Sequence, residues 1–136
     1  MRAIDTNVLV RLLTRDDAAQ VADAEAFIAH GAWVPTLAIA EAIWVLEAVY
    51  AWPPARQLVC LEMLLDHRDL VIQDCEVVSA AVAQLRARPS LGFSDCLMLE
   101  TARKAGHIPM GTFDRKLGGL AGAESLGTQG RKRGRV

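Results

Sequence analysis

The sequence lacks the features that mark several large protein classes. Its three cysteines, Cys60, Cys75 and Cys96, are far apart in apolar surroundings, with no C-x2-C pair among them. That pattern suits reduced core thiols rather than a disulfide frame or a zinc site, and His30, His67 and His107 add no ligand spacing. Long apolar runs are missing too: the longest stretch without Asp, Glu, Lys or Arg is the fifteen residues 26–40, interrupted by His30, Gly31 and Pro35. A spanning helix needs about 20 apolar residues. The opening Met1-Arg2-Ala3-Ile4-Asp5 has no apolar region of the secretory kind, so a cytoplasmic protein with no membrane partner is expected. There is no G-x-x-x-x-G-K-[ST] loop and no Ser-His or Cys-His pairing at motif spacing, which leaves nucleoside triphosphatase and acyl-enzyme chemistry without support. Trp33, Trp44, Tyr50 and Trp52 lie inside apolar segments and suit core or dimer contacts better than base stacking.

What is present is apolar material for one core. The chain has 136 residues, 52% of them hydrophobic, which accommodates a single domain and excludes a disordered chain. The formal net charge of −1 conceals an uneven distribution. Arg131, Lys132, Arg133 and Arg135 crowd the end, so the preceding 130 residues carry eleven basic against sixteen acidic side chains. We therefore expect one domain over residues 1–126 and a basic, disordered tail over 127–136.

Short apolar strands alternate with amphipathic helices throughout. Strands are expected at 2–5, 33–36, 70–72, 108–112 and 123–126. Helices are expected from residue 7, over 18–30 with Gly31 as its cap, over 37–51 ahead of Pro53, and from Pro54 to 66. Val78, Ala81, Val82 and Leu85 recur at i, i+3, i+4, i+7 and mark a helix that stops before Pro89. A last helix runs over 94–105, closed by Gly106. Strands separated by whole helices pair in parallel through right-handed crossovers. The expected fold is therefore a three-layer α/β/α domain around a four- to five-stranded, mainly parallel sheet.

Ligands of such sheets bind beyond the carboxyl ends of the strands. Asp5 ends the first expected strand, Glu41 lies early in the helix after the second, Asp114 follows the fourth, and Asp95 opens the helix after Gly92-Phe93. Each alone has a structural reading as a helix cap, a turn or a solvated position. Glu41, however, sits within Leu37-Ala38-Ile39-Ala40-Glu41-Ala42-Ile43-Trp44, so apolar a stretch that the carboxylate is expected to need a partner. If the sheet gathers the four acids, their repulsion calls for a cation, and carboxylates select Mg2+ or Mn2+ over zinc. Thr6, Asn7, Ser94 and Thr112 are placed to orient carboxylates or water. A divalent ion with open positions suits phosphodiester hydrolysis.

The segments IDTNVLVRLL, AEAIWVLEAVY, FSDCLMLETARKAG and TFDRKL follow one another in the order and spacing seen in PIN-domain ribonucleases. The chain resembles that family over residues 1 to about 126, and most of all its VapC-type toxins of bacterial toxin–antitoxin pairs. The resemblance implies a metal-dependent ribonuclease whose acidic quartet maps onto Asp5, Glu41, Asp95 and Asp114, with Thr112 as a supporting hydroxyl. It also implies a small antitoxin partner in the active-site groove, and a homodimer. Two features depart from the family pattern: the basic tail, and the glycine-rich LGGLAGAESLGTQG after Asp114, which weakens the expected last strand.

RNA must approach an acidic body, so positive charge is expected beside the site. Arg86, Arg88, Arg115 and Lys116 are the phosphate contacts nearest in sequence to Asp95 and Asp114, and their alternative is ordinary solvated charge. The basic tail would add non-specific attraction for RNA. Two rival functions stand beside the nuclease. One is a PIN-like interaction module without catalysis. The other is a haloacid-dehalogenase-like phosphatase, for which Asp5-Thr6-Asn7 replaces the Asp-x-Asp it would need.

Overall fold

The structure is a computed structural model that describes residues 1–127. The expectations for Arg131, Lys132, Arg133 and Arg135 fall outside the described residues. In chain order the elements are β1 (Arg2–Ala3), α1 (Thr6–Thr14), α2 (Ala18–Ile28), β2 (Ala32–Val34), α3 (Thr36–Ala48), α4 (Pro54–Asp66), β3 (Leu70–Ile72), α5 (Cys75–Ala87), α6 (Phe93–Ala105), β4 (Met110–Thr112), α7 (Arg115–Gly118) and β5 (Ala123–Ser125). This is the three-layer α/β/α arrangement expected. All strand pairings are parallel, and the five strands form two ladders, β1-β2-β3 and β4-β5. The register sets Arg2 against Ala32 and Ala32 against Leu70, with Met110 against Ala123 in the second ladder.

Local chemistry explains the boundaries. Asp5 and Asp17 cap α1 and α2 by accepting from the backbone N–H of Val8 at 3.1 Å and Gln20 at 3.0 Å. Pro54 stands in the first turn of α4, where its missing N–H costs nothing. Helix α3 stops at Ala48, short of the expected residue 51, because the chain turns through a left-handed Ala51 and buries Trp52. The Arg56 guanidinium lies 3.7 Å over that indole ring.

The core joins all layers. Leu9, Val34, Ile39, Leu46, Leu61, Val78, Leu85, Cys96 and Leu99 are fully buried. Helix α5 packs along α6, and α1 against α3. Cys60 and Cys96 are buried as expected, but Cys75 is exposed at the start of α5. Trp44 is also exposed rather than in the core.

The glycine-rich stretch does not prevent the last strand. It holds a short helix, α7, too brief to leave a periodic signature, and then β5. Gly118 is what allows the two to meet: a β-carbon there would come within 1.9 Å of the Ser125 hydroxyl oxygen and 3.1 Å of Ser125 Cα. Gly118→Ala should accordingly cost about 2 kcal/mol through overpacking, readable as a fall in Tm by thermal denaturation. An unchanged Tm would show that β5 is free to move aside.

Candidate active site

Three acids of the expected quartet, Asp5, Glu41 and Asp114, lie at the end of a strand or in the turn or helix that follows it, and Asp95 lies in the first turn of α6, which follows helix α5. Asp5 leaves β1 and caps α1 with Oδ1. Thr6, next in line, donates its hydroxyl to Glu41 Oε1 at 2.6 Å, tying the start of α1 to α3. Asp5, Thr6 and Glu41 border one cavity of about 340 Å3, together with Pro35, Leu37 and Ala38. Glu41 therefore has the partner that its apolar context required. It is nevertheless exposed, because α3 turns a face outward that also carries Leu37 and Trp44, 68% and 65% exposed.

Asp95 and Asp114 form the second pair. Asp95 is half-buried in the first turn of α6, with Oδ2 3.6 Å from where a Gly92 β-carbon would stand. Asp114 caps α7, its Oδ1 accepting from the N–H of Lys116 at 2.9 Å and of Leu117 at 3.1 Å. Thr112 supports this turn directly, because its hydroxyl oxygen accepts the Asp114 N–H at 3.0 Å. Ser94 faces elsewhere, into an apolar groove of about 670 Å3 between α3 and α6. Leu37 lines both that groove and the Glu41 cavity, so the two are neighbouring surfaces.

Burial pushes the Asp95 carboxyl above its ordinary pKa, and the charge of Asp114 adds to the effect. A carboxylate with a raised folded-state pKa subtracts stability as pH climbs from its unfolded value through the folded one. In the absence of divalent ions at neutral pH, Asp95→Asn should therefore raise Tm. A fall in Tm would mean that the ionised side chain makes a net favourable contact.

The donor chemistry fits a hard divalent ion. Each pair offers carboxylate oxygens only, Oδ1 of Asp5 and Asp114 is used in capping, and the repulsion at Asp95 is the kind a cation relieves. Among the described residues no group of three or more His, Cys, Asp or Glu side chains converges as a cage. The four acids lie as two pairs: Asp5 and Glu41 border one cavity, and the charge of Asp114 acts on Asp95. Mg2+ is commonly held by one or two carboxylates, with water and substrate phosphates completing its shell. Cys96, next to Asp95, contributes no competing chemistry, since burial pushes its thiol up to about 11, helped by the charges of Asp95 and Glu100.

The basic residues divide. Arg86 is paired with Glu62 of α4. Arg88 reaches toward Gly119, its Nη1 3.7 Å from a β-carbon placed there, and so lies beside α7. Arg115 and Lys116 are exposed immediately after Asp114. Asn7 does not touch the second pair of acids. It lines a cavity of about 400 Å3 between α1 and α2, with Asp5, Val8, Arg11, Gln20, Asp23, Ala24 and Phe27. Sequence reasoning missed Gln20, Asp23 and Phe27, since on a helix they read as one solvated face and one apolar position.

A parallel α/β domain with carboxylates beyond its strand ends defines a class of hydrolytic fold. Within that class a family model described as the PIN domain matches residues 3–123, and the chain belongs to the PIN-domain family. This is a nuclease-type fold whose members generally use divalent metal ions. Membership leaves the phosphatase alternative without support. In comparisons with curated proteins and with solved structures, nothing matches the chain. No helix among the described residues is long and apolar enough to cross a membrane.

Proposed function

We propose that the chain is a Mg2+- or Mn2+-dependent endoribonuclease of the VapC type, the toxin of a type II toxin–antitoxin pair. The observation that carries this reading is the set of two carboxylate pairs, Asp5 with Glu41 and Asp95 with Asp114, in a PIN fold, with the charge of Asp114 acting on Asp95. Asp5, Glu41, Asp95 and Asp114 would hold the ion. The chemistry supplied by a divalent ion bound there is positive charge at the phosphate and a lowered pKa of water. The chain's own contribution is positional. Thr6 fixes Glu41, and Thr112 fixes the turn that presents Asp114.

Incubation of the purified chain with single-stranded and structured RNA in Mg2+, in Mn2+ and in EDTA tests the reading. Cleavage with either metal and none in EDTA is expected. Cleavage that persists in EDTA would overturn it.

Arg88, Arg115 and Lys116 have no ion-pair partner among the described residues and would meet the RNA backbone. Double substitution Arg115→Ala, Lys116→Ala should weaken RNA binding uniformly across sequences, and should reduce the slope of log K against log salt by roughly 1.4, at about 0.7 per lost contact on a single strand. Arg86→Ala should leave that slope unchanged. The reverse result would relocate the RNA path toward α4 and α5.

The outward apolar face of α3, with Leu37 and Trp44, and the neighbouring Met98 of α6 favour a homodimer and antitoxin contact. Light scattering of the isolated protein should report a dimer. A monodisperse monomer at high concentration would count against it.

A further inference from the structure

Asp5 lies on a ridge between two cavities. One holds Glu41 and Thr6; the other is the cleft between α1 and α2. Whatever sits in that cleft is contiguous with whatever meets Asp5. At about 400 Å3 it lies within the size range of small-ligand sites.

Its lining is unlike a phosphate site. Among the described residues the one cation that lines it, Arg11, is already paired with Asp16. Asp5 and Asp23 would repel an anion. The side chains of Asn7, Gln20 and Asp23 line it as exposed groups, so two amides and one carboxylate face the solvent in the cleft. Phe27 adds a half-buried aromatic ring to the lining, packed on the core, with the Arg2 guanidinium 3.7 Å over one ring face and Arg2 donating to the Phe27 carbonyl at 3.3 Å. Amides read the donor and acceptor edges of bases, a carboxylate accepts from an exocyclic amine, and single-stranded bases stack on aromatic rings.

The geometry points to a base-binding subsite: the cleft between α1 and α2 takes one unpaired RNA base next to the phosphate at Asp5, and Asp23 with Gln20 selects bases that carry an exocyclic amine over uracil. This rests on the ribonuclease reading for its substrate, but it can be measured without cleavage. Gln20 and Asp23 are specificity-determining residues here, and neither belongs to the proposed metal site.

The test uses the full chain carrying Asp95→Asn to silence cleavage, with fluorescein-labelled hexamers of adenylate, cytidylate and uridylate in Mg2+, read by fluorescence anisotropy. The better of the first two should bind about tenfold more tightly than the uridylate hexamer. Adding Asp23→Ala or Gln20→Ala should bring that ratio within about twofold, leave uridylate affinity within about threefold, and preserve the circular dichroism spectrum. Equal affinities in the parent, or a ratio untouched by both substitutions, would overturn the subsite. Base discrimination by a chain that, without Asp95→Asn, cuts no RNA would sink the nuclease reading and leave the subsite standing. No binding of any hexamer would overturn the subsite, while the nuclease reading stands or falls on cleavage by the chain without Asp95→Asn.

Discussion

Asp95→Asn should lower kcat/KM for RNA cleavage on the order of a thousandfold or more, and Asp5→Asn should do the same, with neither protein unfolded. The size follows from removing charge where the transition state develops its own, in a site that has few other ways to supply it. The design of the substitutions matters because Asp5 and Asp114 serve twice. Their Oδ1 atoms cap α1 and α7. Asparagine keeps a side-chain oxygen there and caps about as well as aspartate. A change to alanine would confound loss of the cap with loss of the charge. Thr6→Val should cost less, about ten- to a hundredfold, because Thr6 acts through Glu41. Activity within threefold of wild type in both Asp5→Asn and Asp95→Asn would remove the carboxylates from the chemistry.

The largest loss of stability should come from Glu100→Ala, far from those acids in function. Glu100 is 7% exposed. It accepts from Gln84 Nε2 at 3.0 Å and from Arg103 Nε at 3.1 Å, and Arg103 in turn donates to the Ala121 carbonyl at 2.6 Å. One carboxylate thus ties α5, α6 and the approach to β5. Its removal leaves Arg103 without its counter-charge and Gln84 without an acceptor. Breaking a buried ion pair costs about 3–5 kcal/mol, and the partial exposure of Arg103, 35%, brings the expectation to about 2–3 kcal/mol. Thermal denaturation should register this as a Tm lower by roughly 10 °C. A shift below about 2 °C would mean that solvent replaces the network at no cost. Gly122 belongs to the same arrangement, since a β-carbon there would sit 2.8 Å from an Arg103 nitrogen.

Much of this architecture was legible because it is written in periodicity and punctuation. Val78, Ala81, Val82 and Leu85 recur at helical spacing and are all buried on α5. Pro54 and Gly106 mark a start and a stop where the helices do start and stop. The acids could be nominated because parallel sheets place function at strand ends, where Asp5 and Asp114 fall whatever the exact boundaries, and because Asp95 opens the helix after Gly92-Phe93. Interactions between segments distant in sequence were not legible. Nothing local announces that Thr6 meets Glu41, that Arg86 is taken by Glu62, or that Glu100 is buried. Asp16 shows the same limit. It reads as a loop residue, yet the Tyr50 hydroxyl at 2.9 Å, with Thr14 and Arg11, holds its carboxyl down to about 2 and fastens the α1–α2 loop to the end of α3. The exposure of Leu37 and Trp44 was hidden for a related reason: α3 is apolar nearly all round, so its sequence does not say which face looks outward.

The most direct test of the central claim is Mn2+ titration followed by electron paramagnetic resonance of the free ion, on wild type and on the double variant Asp95→Asn, Asp114→Asn. Saturable depletion of the free-ion signal by wild type, lost or weakened at least tenfold in the variant, is the predicted result. Equal Mn2+ binding by the two proteins would contradict the assignment of a divalent ion to these carboxylates.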